Sequence, residues 1–253
     1  MIGRVRLRVA DLERVRAYYE RTIGPKALAE DADTVTLGAD TPLVELVGDP
    51  AAPPAPPGST GLFHLAVLVP DRTELARSIQ RVVGSGQRFT GASDHFVSEA
   101  LYLRDPEGNG IEIYRDRPRE EWEYEPDGEL RMGTVALDLH DVLREMPQDG
   151  DRGMPDGTIM GHVHLHVSDL GEAEAFYAGR LGLDVTVRGY PGALFLSRGG
   201  YHHHIGLNTW QGAGGPPPPA ESRGLIDYEM TLPGAPEGPL SDPSGNGVVL
   251  RAA

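Results

Sequence analysis

Residues 2–12 read IGRVRLRVADL, and residues 160–170 repeat this stretch as MGHVHLHVSDL. Both copies alternate polar and aliphatic residues, which is typical of a strand with one buried face, and both end in an acidic residue and a leucine. A second pair of segments also repeats: LRDPEGNGIEI at 103–113 and LSDPSGNGVVL at 240–250 each contain a Gly-Asn-Gly turn that leads into a short apolar strand. The chain therefore consists of two related halves.

Each half divides again at a proline-rich connector, at residues 48–61 and 211–224. In the first three of the resulting modules, an alternating strand leads into an amphipathic helix, and we predict these helices at 12–22, 75–83 and 170–181. Asp71 with Glu74, and Asp169 with Glu172, have the spacing of a helix N-cap and its third residue. Further strands follow each helix. The unit is therefore predicted to be βαβββ.

The fourth module departs from this plan. After a strand at 227–232, only PGAPEGP precedes the final turn, so the module's helix and one strand are missing. We predict an α+β fold with a first domain at 1–118 (modules one and two), a connector at 119–157, and a second domain at 158–253 (modules three and truncated four). The connector is acidic and rich in turns, with one short helix near 138–146.

Composition excludes several classes of function. The 253 residues include 38 acidic and 23 basic side chains, a formal charge of −15, which argues against binding to nucleic acid or to an anionic membrane. The chain has no cysteine, so thiolate metal sites and cysteine nucleophiles are excluded. No stretch of about 18 apolar residues is present, and the N-terminus does not read as a signal peptide. A cytoplasmic protein is expected.

Four βαβββ units, with a histidine on the first strand and DPEGNGIEIY leading into the last strand of module two, resemble the vicinal oxygen chelate superfamily over nearly the whole chain. This superfamily includes glyoxalase I, bleomycin-resistance proteins and extradiol ring-cleaving dioxygenases, so the fold does not fix the function. The resemblance implies paired modules that curl into half-open barrel sheets. It also implies metal ligands on the first strand and on the last strand of a module.

The positions that match these ligands differ among the modules. On the first strands of modules one to four they are Arg4, His64, His162 and Asp227; on the last strands they are Glu45, Glu112, a residue within YHHHIGL, and Val249. A non-haem Fe(II) site needs two neutral imidazoles and one carboxylate, with open positions opposite them.

Neither half of the chain supplies that set by itself. Modules one and two lack a second histidine, and modules three and four have Val249 where the family's extradiol enzymes carry a glutamate. Modules two and three together supply His64, Glu112 and His162. We therefore hypothesise that modules two and three share one cavity, within a chain or across a homodimer, and that modules one and four pair elsewhere.

The resemblance to extradiol enzymes, and to catechol 2,3-dioxygenases in particular, also implies acid–base residues. The segment Gly200–Leu207 resembles the strand that carries the acid–base histidine, which places His204 in that role. Tyr102 stands four residues before Pro106, as in those enzymes, and His95 precedes it in the loop SDHFVSE. All three residues belong to modules two and three.

Structural roles for the same residues remain open at this point. His162, His164 and His166 share one strand face, and a single site uses only one of them as a ligand. His202 and His204 share one face while His203 points to the other, and each could be structural. Tyr102 could be a packed aromatic residue, and the Asp105–Gly110 segment is explained by turn chemistry.

The implied function is extradiol cleavage of a small aromatic vicinal diol by O₂, with Fe(II) as the cofactor and Mn(II) as the alternative metal. A second candidate is a glyoxalase-like isomerase or lyase, in which Glu45, His64 and Glu112 would hold Ni or Zn. The third is a metal-free binding protein of the drug-sequestering kind, which the truncated fourth module would suit.

Overall fold

The computed structural model describes residues 1–126, 128–150 and 152–252. The strands of the first two modules and the connector are β1 Ile2–Val9, β2 Lys26–Glu30, β3 Thr34–Gly38, β4 Pro42–Gly48, β5 Gly61–Leu68, β6 Gly91–Asp94, β7 Ser98–Arg104, β8 Gly110–Asp116 and β9 Val135–Ala136. Those of the last two modules are β10 Ile159–His166, β11 Asp184–Val187, β12 Ala193–Ser197, β13 Ile205–Asn208, β14 Gly224–Thr231, β15 Gly238–Ser241 and β16 Gly247–Arg251.

The helices lie where the amphipathic segments predict them. They are α1 Leu12–Tyr18, α2 Arg72–Gly84, α3 Leu139–Leu143 and α4 Leu170–Glu174, and α1 and α4 each continue into a wider π-helical turn, at Tyr19–Ile23 and Ala175–Arg180. The predicted N-caps are confirmed, because Asp71 and Asp169 each accept a hydrogen bond from the backbone N–H three residues later. Among the described residues, no helix is long and apolar enough to cross a membrane.

The strands form two sheets, and each sheet joins modules from both halves of the chain. The outer sheet contains modules one and four, in the order β15-β16-β14-β1-β4-β3-β2. The inner sheet contains modules two and three, in the order β11-β12-β13-β10-β5-β8-β7-β6, and β9 extends its edge. The hypothesised pairing of modules two and three is therefore confirmed, and it occurs within one chain. The domain boundaries near residues 118 and 158 stay a prediction.

One continuous apolar core holds the two sheets together. It takes buried side chains from the central strands of both sheets, such as Leu7 and Leu65, and from the helices, such as Val15 and Leu75. Each central strand therefore presents its aliphatic residues to this core and its alternate residues to the opposite, concave face of the sheet. The histidines of β10 lie on that concave face.

The connector packs against the inner sheet. It begins with a short 3₁₀ turn at Arg119–Glu121, and β9 pairs with β6 at the edge of the inner sheet. Trp122 and Leu130 are buried beside the inner sheet in a small second cluster of apolar side chains. The connector therefore closes one side of the concave face. The predicted short helix is present as α3.

Candidate metal centre

The three candidate ligands are brought together by the register of three neighbouring strands. Ala66 of β5 is paired with Glu112 of β8 on one side and with His162 of β10 on the other. His64 stands two residues before Ala66 and so projects from the same face. Because Ala66 has only a methyl group, the three longer side chains can converge above it.

The distances between the ligand atoms are short. Nε2 of His64 lies 2.9 Å from Oε2 of Glu112, and Nε2 of His162 lies 3.1 Å from the same oxygen. The two Nε2 atoms are 3.4 Å apart. All three side chains are buried, with no more than 5% of any residue exposed. One carboxylate and two imidazoles thus aim their ligand atoms at one small volume.

The protonation of this cluster suits a metal ion. Burial raises the pKa of Glu112, but its contacts with His162 and His64 outweigh burial and bring the pKa well below its usual value. Burial lowers the pKa of His162 to about 4, against the opposing effect of Glu112. At neutral pH the site therefore offers an ionised carboxylate and a neutral imidazole, the forms in which these groups bind metals.

The donor set fits a divalent transition metal ion. His64, Glu112 and His162 form a group of potential ligands whose donor atoms all lie within 4.8 Å of one another. Two imidazoles and one carboxylate on a single face match the ligands of non-haem Fe(II) oxygenases, which leave other positions of the metal free. A bound metal ion would replace the protons through which the two imidazoles and the carboxylate contact each other.

The cluster lies at the base of a cavity of about 430 Å³. Its walls are mainly aromatic, and their largest members are Phe63, Tyr102, Tyr190, Phe195 and Trp210. The connector contributes Met132 and Thr134. Among the described residues that line the cavity, Glu112 is the only acidic one. A bound molecule would therefore contact aromatic side chains and the three candidate ligands.

Tyr102 and His95 lie together in the cavity wall. The Tyr102 hydroxyl is 2.7 Å from Nε2 of His95, whose Nδ1 lies 2.7 Å from the carbonyl oxygen of Gly133. The carbonyl can only accept, so Nδ1 of His95 carries the proton and Nε2 accepts from Tyr102. Burial, followed by the nearby Glu112, raises the pKa of Tyr102 well above its usual value. The phenol is therefore neutral, and its oxygen lone pairs remain for a ligand.

The expectation for His204 is corrected, because the structure does not bring this residue to the cluster. His204 lines a different cavity, between the two sheets, whereas His203 lines the cavity with the ligands. The cause is an irregularity at the start of β13. Ile205 pairs with Leu196, and the His204 N–H also donates to the Leu196 carbonyl. His204 and Ile205 therefore both lie opposite Leu196, as in a β-bulge. The side chains before Ile205 are shifted by one position in the alternation between the two faces of the sheet.

His203 and His164 are the residues of this site that the sequence alone did not single out. The His203 ring centroid lies 4.1 Å from that of His162, and burial lowers the pKa of His203 well below its usual value. His164 pairs with His64 across β10 and β5, and its Nε2 is buried without a hydrogen-bond partner among the described residues. The HVHLHV and YHHH segments marked the region, but no sequence signal indicated the irregularity that brings His203, and not His204, into the cavity.

The outer sheet carries ion pairs where the inner sheet carries the ligands. Arg4 contacts Glu45 at 2.6 Å, and Arg6 contacts both Glu45, at 2.8 Å, and Asp227, at 2.9 Å. Glu45 therefore belongs to a salt-bridge network in the other sheet. The glyoxalase-like set of Glu45, His64 and Glu112 is not assembled by this fold, which is a correction of that alternative.

Comparison with known proteins agrees with this architecture. Residues 1–113 match the family model of the Glyoxalase/Bleomycin resistance protein/Dioxygenase superfamily. The chain is 46% identical over 237 residues to a protein of Bacillus subtilis named catechol-2,3-dioxygenase, across 92% of this chain and 82% of that protein. The chain belongs to this superfamily.

Solved structures share this fold at low sequence identity. A putative dioxygenase from Bacillus subtilis superposes with a TM-score of 0.65 and 14% identity, over 99% of this chain and 84% of that one. Glyoxalase I from Zea mays superposes with a TM-score of 0.59 and 16% identity, over 98% and 91% of the two chains. At this level of identity the structures support the superfamily fold alone.

Proposed function

We propose that the protein is an extradiol dioxygenase that cleaves a catechol-type aromatic diol with O₂, using Fe(II), or Mn(II) in its place. The observation that carries this proposal is the convergence of His64, Glu112 and His162 at the base of an aromatic cavity. The 46% identity to a protein named catechol-2,3-dioxygenase supports a dioxygenase as the class of enzyme. A bound metal would hold the diol and O₂ together and allow electrons to pass between them.

The aromatic walls would orient the substrate and keep water out. Phe63, Phe195 and Trp210 line the cavity, and edge-to-face contacts with their rings would hold a planar ring of catechol size. Excluding water strengthens the electrostatic interactions of the substrate with the site. The two hydroxyl groups would then point to the base of the cavity, where the candidate ligands lie.

Two side chains are suited to handle the protons of the diol. His203 lines the cavity beside His162, and it would accept a hydroxyl proton as the diol binds, then return it to an oxygen of the product. Tyr102 already donates its proton to His95, so its oxygen would accept a hydrogen bond from the second hydroxyl. His95 would thus hold Tyr102 in orientation. In the overall reaction the ring bond beside the diol breaks, and both atoms of O₂ enter a ring-opened semialdehyde acid.

The test is metal binding together with incorporation of labelled oxygen. The protein is purified without oxygen and loaded with Fe(II), and its metal content is measured. It is then supplied with catechol and ¹⁸O₂. We expect one metal ion per chain and two labelled oxygen atoms in the product. Glu112→Gln should lose most of the bound metal and lower turnover by about 10²-fold or more.

The matched control is Asp227→Asn, which changes the carboxylate on the first strand of module four in the outer sheet. This variant should keep its metal content and its turnover within about twofold, since Asp227 pairs with Arg6 in the outer sheet and does not line the cavity. Failure of the wild-type protein to bind a transition metal or to consume O₂ with catechol would overturn the proposal and favour a metal-free binding protein.

A further inference from the structure

Three side chains behind the cavity wall form a hydrogen-bonded row that ends at His203. Oδ1 of Asp116 lies 2.9 Å from Nε2 of His202, and Nδ1 of His202 lies 2.7 Å from Nδ1 of His203. His202 is completely buried, and His203 is 6% exposed. The row therefore runs from the last residue of β8, at the edge of the buried region, to the wall of the cavity.

The chemistry of the row fixes the direction of its hydrogen bonds. An ionised aspartate only accepts, so Nε2 of His202 must carry a proton and donate it to Asp116. When His202 carries this single proton, its Nδ1 has a free lone pair and can only accept. Nδ1 of His203 must then be the donor in the second bond. Nε2 of His203 is left without a proton, and it makes no hydrogen bond within the described part of the chain.

We propose that Asp116 and His202 are positioning residues that hold His203 in the tautomer whose proton is on Nδ1 and whose free lone pair is on Nε2. The consequence for catalysis rests on the proposed function, because only an unprotonated Nε2 can accept a proton from a bound diol. In the other tautomer the same ring would present an N–H group there and could not act as a base.

The surroundings keep the row in place. Tyr201 donates its hydroxyl proton to Asp116 at 3.1 Å, and Tyr114 lies 2.7 Å from the Tyr201 hydroxyl. Trp122 of the connector packs on His202, with ring centroids 5.6 Å apart. By contrast, Nδ1 of His162 and Nε2 of His164 are buried without a hydrogen-bond partner among the described residues. The described residues thus give the Nδ1 proton of His203 a defined acceptor, which they do not give to those two nitrogens.

The first test reads the tautomers directly, without turnover. Metal-free protein labelled with ¹⁵N-histidine is examined at pH 7.5 by long-range ¹H–¹⁵N correlation spectroscopy, which distinguishes Nδ1–H from Nε2–H rings. In the wild type we expect His203 as the Nδ1–H form and His202 as the Nε2–H form. Asp116→Leu, which removes the acceptor, should give a mixture of tautomers at both rings. A wild-type His203 with its proton on Nε2 would overturn the proposal.

The second test separates positioning from folding. His202→Phe keeps an aromatic ring in the same space but cannot accept from His203, and it should lower kcat about 10- to 100-fold while KM changes less than about threefold. Metal content should match the wild type. His140→Phe, the control, makes the same change at an exposed histidine of α3 and should leave the tautomers of His202 and His203 and kcat within about twofold. Wild-type kcat in the His202→Phe variant would also overturn the proposal.

The two tests distinguish this proposal from the proposed function. If the wild-type protein does not cleave catechol, the extradiol assignment fails, yet the spectra of the metal-free protein still decide whether Asp116 and His202 fix the tautomer of His203.

Discussion

His203 and His204 are neighbours in the chain, but they lie in different environments. His203 stands in the cavity with the candidate ligands, and His204 lines the separate cavity between the sheets. Burial is the main cause that lowers the pKa of each, to about 4 for His204 and well below the usual value for His203. Both rings are therefore neutral at pH 7. Their difference in function is expected to come from position rather than from protonation.

The same substitution at these two positions tests that difference. His203→Gln should lower kcat by about 10² to 10⁴-fold, the range for loss of a general base, and should retain bound metal. His204→Gln should stay within about threefold of wild-type turnover. Steady-state kinetics with catechol and metal analysis of both variants are the measurements. The reverse pattern would restore His204 as the acid–base residue.

At the scale of the elements, the separation of β5 and β8 determines how His64 and Glu112 meet. Gly110 begins β8, and a methyl group added there would lie 2.0 Å from the backbone carbonyl oxygen of Phe63 in β5. The Gly108 backbone has φ +96, and Asp105 accepts from the N–H groups of Glu107 and Asn109. This turn therefore places β8 directly against β5, beside the candidate ligands. Gly110 allows the two backbones to approach closely because it has no side chain.

Gly110→Ala should push β8 away from β5, because the contact is with backbone and cannot be relieved by rotating a side chain. We expect a loss of about 1–3 kcal/mol in the free energy of unfolding, together with weaker metal binding. Urea unfolding and a metal-binding titration provide the measurements.

Gly84→Ala at the end of α2 is the matched control, since a methyl group there would meet nothing within 4 Å. It should be neutral or slightly stabilising, because alanine has the higher helix propensity. Equal stability of the two variants would show that a methyl group at position 110 does not disturb the packing of β8 against β5.

At the scale of the whole molecule, the fold buries several neutral histidines around one carboxylate. Burial lowers the pKa of His162 to about 4 from its usual 6.5, and it lowers the pKa of His164 and His203 well below that usual value. As pH falls below 6.5, these histidines become protonated in the unfolded chain but stay neutral in the folded chain. The stability contributed by these residues is therefore complete above about pH 6.5 and declines toward pH 4.

The urea midpoint of the metal-free protein should accordingly fall between pH 7 and pH 4.5, with up to about 1.4 kcal/mol per pH unit for each such histidine. Burial raises the pKa of Asp105 and Asp242, which act in the opposite sense, so the histidine effect is measured as a difference between variants. His162→Gln should have a shallower pH dependence than the wild type, whereas a change at exposed His140 should leave it as it was. Parallel pH profiles for wild type and His162→Gln would contradict this account.

Much of the architecture was determined by the sequence itself, because its signals are local or repeated. The copied strand at 2–12 and 160–170 predicted the modules, Asp71 and Asp169 marked helix starts, and the absence of a helical segment before residue 238 predicted the truncated module. The three candidate ligands were also found from sequence, because the resemblance to the superfamily gave the ligand positions and the residue types there leave one complete set.

Only the tertiary structure decided which side chains share the cavity. The pairing of β5 with β10 depends on contacts about 100 residues apart, and the sequence supported it through the ligand chemistry alone. His203 enters the cavity because one extra residue opposes Leu196 before β13, and alternation predicts the opposite choice. The hydrogen-bonded row of Asp116, His202 and His203 likewise depends on tertiary structure, because the end of β8 at Asp116 must lie beside the irregular segment before β13. Local periodicity specifies strands and helices, whereas a shift of one residue in the pairing of two strands determines which side chains line a cavity.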